Sequence, residues 1–196
     1  MNRRIARYGW LPDLPDQRDH LYAAPPRVLA KLPASVDLRP RCPPVFDQGE
    51  VGSCTANAIG NAYRFDLIKQ RLAPRFVPSR LFLYYNERAL EGSTGTDSGA
   101  MLRDGIKTLA KQGVCDEPRW PYLPERVTTK PAMAAYRDAL KHQAVSYQRL
   151  VQSATQLKGS WRAGTRSYSA SRCTRASNPP LSRAPAACRC RRAPNA

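Results

Sequence analysis

The sequence predicts a mainly helical body with a strand near its far end, on three observations. Apolar residues recur at helical spacing in three windows, at Ala56, Ile59, Tyr63 and Leu67, at Leu81, Leu83, Tyr84 and Tyr85, and at Met101, Ile106 and Leu109. One later segment, Ala144–Leu150, alternates as a strand does. Ahead of the helices, residues 1–33 carry too many prolines for a helix and predict an extended arm.

The first helix follows the run Asp47-Gln48-Gly49-Glu50-Val51-Gly52-Ser53-Cys54-Thr55 and is expected over 56–70. Ser53 is a good N-cap residue, so Cys54 falls in the first turn. A thiol there meets unpaired backbone N–H groups and the positive end of the helix dipole, both of which favour the thiolate. The dipole contributes only about 0.3–1 kcal/mol, under one pKa unit at about 1.36 kcal/mol each, and Asp47 and Glu50 oppose it. Gln48 sits on a glycine-containing loop that can turn its amide back toward the sulfur, and an amide donor beside a nucleophile is what an oxyanion needs. The plainer alternative is an inert, buried cysteine at a helix start.

The second helix is expected over 79–90, capped by Ser79 and largely buried, and the third over 100–111, ended by Gly113. A Gly/Ser/Thr turn separates them. Ser153 to Lys158 reads as the start of a short helix. His20 reads as a surface residue, and His142, in a polar helical setting, as exposed rather than catalytic.

The segment Gln48…Gly52-Ser53-Cys54 resembles the nucleophile segment of the papain-like cysteine peptidases. Leu32-Pro33…Val36-Asp37-Leu38-Arg39 is similar to the start of that family's mature-type domain. Gly113-Val114-Cys115…Trp120-Pro121-Tyr122 is similar to a later segment of it. Two positions depart: Val51 stands where many members carry a disulfide cysteine, and Thr55 where most carry an aromatic residue. The resemblance covers residues 8–158 and implies an α+β fold, of which this chain carries mainly the N-terminal helical half. It implies thiol-dependent hydrolysis of peptide bonds, with Cys54 as nucleophile and Gln48 in the oxyanion hole, a peptide or protein substrate, and no cofactor or metal. Ser98 and Gly99 would line the substrate cleft, although a turn and helix cap would use the same residues. The arm resembles the leader of some bacterial members, and packing as a plain arm is an equal alternative. Cys115 is expected to be structural.

Composition divides the chain. The formal net charge is +17, all 15 acidic residues fall at or before Asp138, and residues 159–196 hold eight arginines and no Asp, Glu, Lys or His. With one leucine and no Ile, Val, Phe or Met, that tail is expected to be disordered. The resulting domain division is an arm over 1–33, a partial peptidase domain over 34–158 and a basic tail over 159–196. Two accounts of the tail stand. An arginine-rich segment can bind nucleic acid, which gives a non-catalytic basic protein as the rival function. Alternatively, shifting the frame by two bases from Trp161 permits Gly-Tyr-Pro-Phe-Val-Phe-Gly-Phe, which resembles the next strand of the family and marks the tail as out of frame. The family's base and its orienting residue fall roughly 130–150 residues past the cysteine, at or beyond the tail, where no histidine exists. The chain is therefore expected to be inactive by itself. No run is apolar and long enough for a membrane span, and the N-terminus lacks a secretory h-region, so a cytoplasmic protein is expected.

Overall fold

The first long helix begins where the glycines end, and the rest of the body packs against it. The computed structural model describes residues 9–35, 37–73 and 75–163. In chain order the elements are β1 (Trp10–Leu11), β2 (Leu21–Tyr22), α1 (Pro26–Leu29), α2 (Cys54–Gln70), α3 (Arg80–Leu90), β3 (Ala100–Met101), α4 (Leu102–Lys111), α5 (Met133–Ala139), β4 (Arg149–Leu150) and α6 (Ala154–Arg162). The α+β class expected from the resemblance is the class observed, with helices dominant and strands short.

Helices α2, α3 and α4 pack on one another, and α3 is the central one. Leu81, Phe82, Leu83 and Tyr84 on α3 have no exposed surface, and neither do its Glu87 and Arg88. Burying two consecutive charged residues is costly unless each finds partners. Arg88 is satisfied by three carbonyls: it donates to Tyr84 O, Thr96 O and Val127 O, and its guanidinium lies 4.1 Å over the Tyr84 ring. Ser79 caps α3 as expected, accepting from Phe82 N at 3.2 Å. Ser53 does not cap α2: its hydroxyl is drawn sideways to Tyr122 Oη at 2.5 Å and Asn57 Nδ2 at 2.9 Å. Helix α4 starts at Leu102 rather than at residue 100, because Ala100 and Met101 are extended and pair with the arm.

Both pairs of strands tie the N-terminal arm to the body. β1 runs parallel to β3 with Trp10 opposite Ala100, and β2 runs parallel to β4 with Leu21 opposite Arg149. The alternating segment at 144–150 thus contributes only Arg149–Leu150 as strand. Helix α1 packs on α6, and Ala24 N donates to Gln156 Oε1 at 2.8 Å. The expected boundaries at 33 and 158 therefore cut through packed structure: residues 21–29 and 149–162 hold each other. Order also continues past Gly159. Ser153 caps α6 by accepting from Gln156 N at 3.1 Å, the helix runs to Arg162, and Gly159 and Ser160 are buried. Apolar Ala24 and Leu29 supply the cover that the composition of the tail lacks; a Cβ on Gly159 would lie 2.6 Å from Ala24 Cβ and 3.0 Å from Leu29 Cδ2. The rest of the tail lies outside the described residues, and with it the expectation of disorder. Among the described residues no helix is long and apolar enough to cross a membrane.

Candidate active site

Cys54 is the first residue of α2, half-buried, directly after the buried residues Val51, Gly52 and Ser53. The loop before it curls on itself. Gly49 takes φ +58°, where glycine carries no steric penalty, and Asp47 accepts from Gly49 N at 3.0 Å. Gln48 does fold back, but its amide donates to Val51 O at 3.0 Å. A primary amide has two N–H donors, so one remains to serve an oxyanion while the other fixes the side chain.

A polar group behind this loop holds it, and the sequence did not single out its centre, Arg80. Its guanidinium is sandwiched 4.0 Å from the Tyr122 ring and 4.4 Å from the Phe46 ring. It donates to Asp47 O at 3.0 Å and Asn57 Oδ1 at 3.2 Å and pairs with Glu117 Oε1 at 3.2 Å. Tyr122 donates to Gln48 O at 3.0 Å, and its backbone N–H reaches the same Glu117 oxygen at 3.1 Å. The segment ending in Tyr122, noted only for its resemblance, thus holds Gln48 O directly and Asp47 O through Glu117 and Arg80. The signal available was an arginine directly ahead of the apolar run Leu81–Tyr85 in the first turn of the helix.

The opposite wall is the turn before β3. Gly99 is buried with φ +80°, and its N–H donates to Tyr84 Oη at 3.0 Å. Ser98 is half-buried, and its hydroxyl turns to Ser93 Oγ at 3.0 Å and Gly99 O at 3.2 Å. Gly99 therefore faces the arm at the cleft, whereas the Ser98 hydroxyl serves its own turn.

Between these walls lies the arm. A Cβ on Gly9 would fall 1.6 Å from Gly52 O, and one on Gly99 would fall 2.1 Å from Gly9 O. Ala100 N donates to Gly9 O at 2.7 Å. The arm thus lies in the cleft at Gly9, in front of Cys54. Burial pushes the Cys54 thiol above its ordinary value; hydrogen bonds from the Gly9 and Thr55 backbone N–H groups oppose this, and the Glu87 carboxyl reinforces it. The thiolate expected from the helix start is not what this enclosed state favours, because desolvation outweighs the amides. The opposing carboxyl is Glu87 rather than Asp47 and Glu50, both of which are exposed.

Neither imidazole of the chain is a partner of Cys54 among the described residues. His20 is exposed, as expected. His142 is half-buried instead of exposed, because its ring stacks on buried Phe76 at 3.9 Å and its carbonyl accepts from Val114 N at 3.0 Å. Phe76 meets Tyr63 edge-on, and α2 rises about 13 Å between Cys54 and Tyr63. Cys115 is buried, its thiol pushed up to about 12 by burial, in keeping with a structural role.

Known proteins resemble this chain in sequence and in fold. The chain superposes on xylellain, a cysteine protease from Xylella fastidiosa, with a TM-score of 0.75 and 42% identity, covering 84% of this chain and 66% of that one. It is 44% identical over 159 residues to the uncharacterized peptidase C1-like protein L477 of Acanthamoeba polyphaga mimivirus, covering 73% of this chain. It spans 51% of that curated relative, about half its length. No protein-family model matches the chain. A cysteine at a helix start, an amide on the loop before it and a glycine wall opposite make up the candidate site. The chain belongs to the papain-like cysteine peptidases.

Proposed function

We propose that the cleft binds an extended peptide backbone and that Cys54 attacks its carbonyl, with Gln48 and the Cys54 N–H holding the oxyanion. The observation that carries this reading is the chain's own arm. An extended segment pairs with β3 and lays its backbone directly before the Cys54 thiol, as a strand added to an exposed edge does. A peptide or protein substrate would take the same edge once the arm is displaced. The two relatives are named as a cysteine protease and a peptidase-like protein, which supports the same chemistry. Neither the fold nor the relatives support the rival nucleic-acid function.

An electrophilic peptide, such as a peptidyl vinyl sulfone, tests the assignment without requiring turnover. Covalent addition is expected at Cys54 ahead of Cys42 and Cys115, and is expected to vanish in Cys54→Ala. Equal addition at all three cysteines of the folded protein would remove the assignment.

A further inference from the structure

Two side chains far from Cys54 in sequence join the two walls of the cleft. Gly52 N–H donates to Asp97 Oδ2 at 2.8 Å. The Tyr84 hydroxyl donates to Asp97 Oδ1 and accepts from Gly99 N–H at 3.0 Å. The path from Gly52 through Asp97 and Tyr84 to Gly99 is therefore continuous. It spans the gap that Gly9 occupies. Its anchor does not yield: Tyr84 has no exposed surface, and Arg88 stacks on its ring while donating to the carbonyl of Thr96, next to Asp97.

The gap so held has no room for a side chain. At Gly9 and Gly99 the atoms that a Cβ would strike are backbone, at 1.6 and 2.1 Å. At Gly52 a Cβ would fall 2.9 Å from Asp97 Oδ1 and 3.3 Å from Tyr84 Oη, the atoms of the bridge itself. Moving the Gly52 wall outward stretches a charge-assisted hydrogen bond to Asp97, the stronger kind of neutral-donor contact, and moving the Gly99 wall stretches its bond to the Tyr84 hydroxyl.

We propose that Asp97 and Tyr84 are positioning residues that fix the width of the slot before Cys54, so that only a glycine passes between Gly52 and Gly99. The rule applies to the arm, through Gly9, and to a peptide bound in its place; this second part rests on the peptidase reading above, and the first does not. The peptide accepted carries glycine at the residue that crosses between the two walls. Asp97 acts through Gly52, on the wall that carries Cys54, and touches no reacting atom.

The test couples the arm to the bridge in the full chain. Hydrogen exchange of segments 9–11 and 99–101 is followed in the parent, Gly9→Ala, Asp97→Ala, Tyr84→Phe and the double variants. Gly9→Ala is expected to speed exchange about tenfold in the parent, and the same change made with Asp97→Ala to have an effect roughly fivefold smaller, because contacting sites are not additive. Tyr84→Phe keeps the buried ring and is expected to act like Asp97→Ala, while Asp97→Asn keeps an acceptor for Gly52 N–H but loses the charge and one acceptor oxygen, and is expected to fall between the parent and Asp97→Ala. Effects that simply multiply would overturn the proposal, as would an Asp97→Asn that behaves like Asp97→Ala with melting temperature unchanged. A second measurement separates the two parts: vinyl sulfone probes with glycine or alanine next to the electrophile compete for Cys54. Preference for the glycine probe supports the slot as a selector, and equal labelling overturns that part. Failure of both probes to label Cys54 overturns the peptidase reading and leaves the exchange coupling to decide the bridge.

Discussion

Glu87 has no exposed surface, accepts one hydrogen bond from Thr55 Oγ1 at 2.5 Å, and leaves its second oxygen without a partner among the described residues. Gly105 makes the room: a Cβ there would lie 2.4 Å from Ile59 Cδ1 and 2.5 Å from Glu87 Oε1. Burial raises its pKa from the ordinary 4.5 to about 8, against the Thr55 hydroxyl and Arg88, with Glu91 and Asp104 adding to the rise. A carboxyl raised in the folded state keeps a proton that the unfolded chain has released between those two values. Its contribution to stability is therefore fully present below the unfolded value and is lost as pH rises through about 8. Melting temperature should drop across this window, and Glu87→Gln, which keeps the acceptor for Thr55, should flatten that drop by on the order of 3 °C. An unchanged slope would show that Glu87 is not the titrating group. Asp138, held below the usual carboxylate range by the Asp116 N–H and Lys141 against its own burial, acts only at more acidic pH. Nothing at residue level in the sequence marks Glu87, because its role comes from the absence of a side chain at Gly105, on another helix.

The arm is the element whose place was least legible. Its prolines gave its extended form, but its anchor lies on α4 and could not be read from local pattern. Arg103 pairs with Asp19 at 2.5 Å, its backbone N–H donates to Asp13 Oδ1 at 3.0 Å, and its guanidinium also reaches Leu14 O. Arg149 holds the same Asp19 at 2.9 Å. Asp19 is partly desolvated, which raises its pKa, yet these two arginines hold it below the usual range. Hydrogen bonds to charged groups contribute about 1.5–3 kcal/mol, enough to decide whether a short arm stays down. Arg103→Ala should therefore release the arm, seen as trypsin cleavage after exposed Arg18 and Cys54 alkylation both faster by about tenfold. Faster cleavage with unchanged alkylation would show that the arm does not shield the thiol. At the other end, Gly159→Val should part α1 from α6, costing about 1–3 kcal/mol as overpacking does and speeding hydrogen exchange over 21–29. No effect there would mean that α6 does not dock on the arm. The helices α2, α3 and α6 were legible because apolar spacing and the Ser79 and Ser153 caps are local, whereas α1 is held by packing on α6.

At the scale of the whole molecule, the Cys54 side of the candidate cleft was legible in the sequence and the closed state of that cleft was not. A motif gives residue types in order, and Gln48 and Cys54 took their expected places at the loop and the helix start. Occupancy by the arm depends on three glycines, Gly9, Gly52 and Gly99, meeting across long sequence separations. The same scale decides activity. The chain contains two histidines; His142 is held by Phe76 beyond the middle of α2 and His20 faces solvent. A positioned acid–base group contributes about 10²–10⁴-fold to such a reaction, and without one beside the thiol the departing amine must take its proton from water. The 196-residue chain should therefore alkylate at Cys54 but show no turnover of a fluorogenic peptide, even after Arg103→Ala opens the cleft. Turnover that disappears in Cys54→Ala would refute this. Its dependence on His142→Ala or His20→Ala would then identify which imidazole had moved to the thiol.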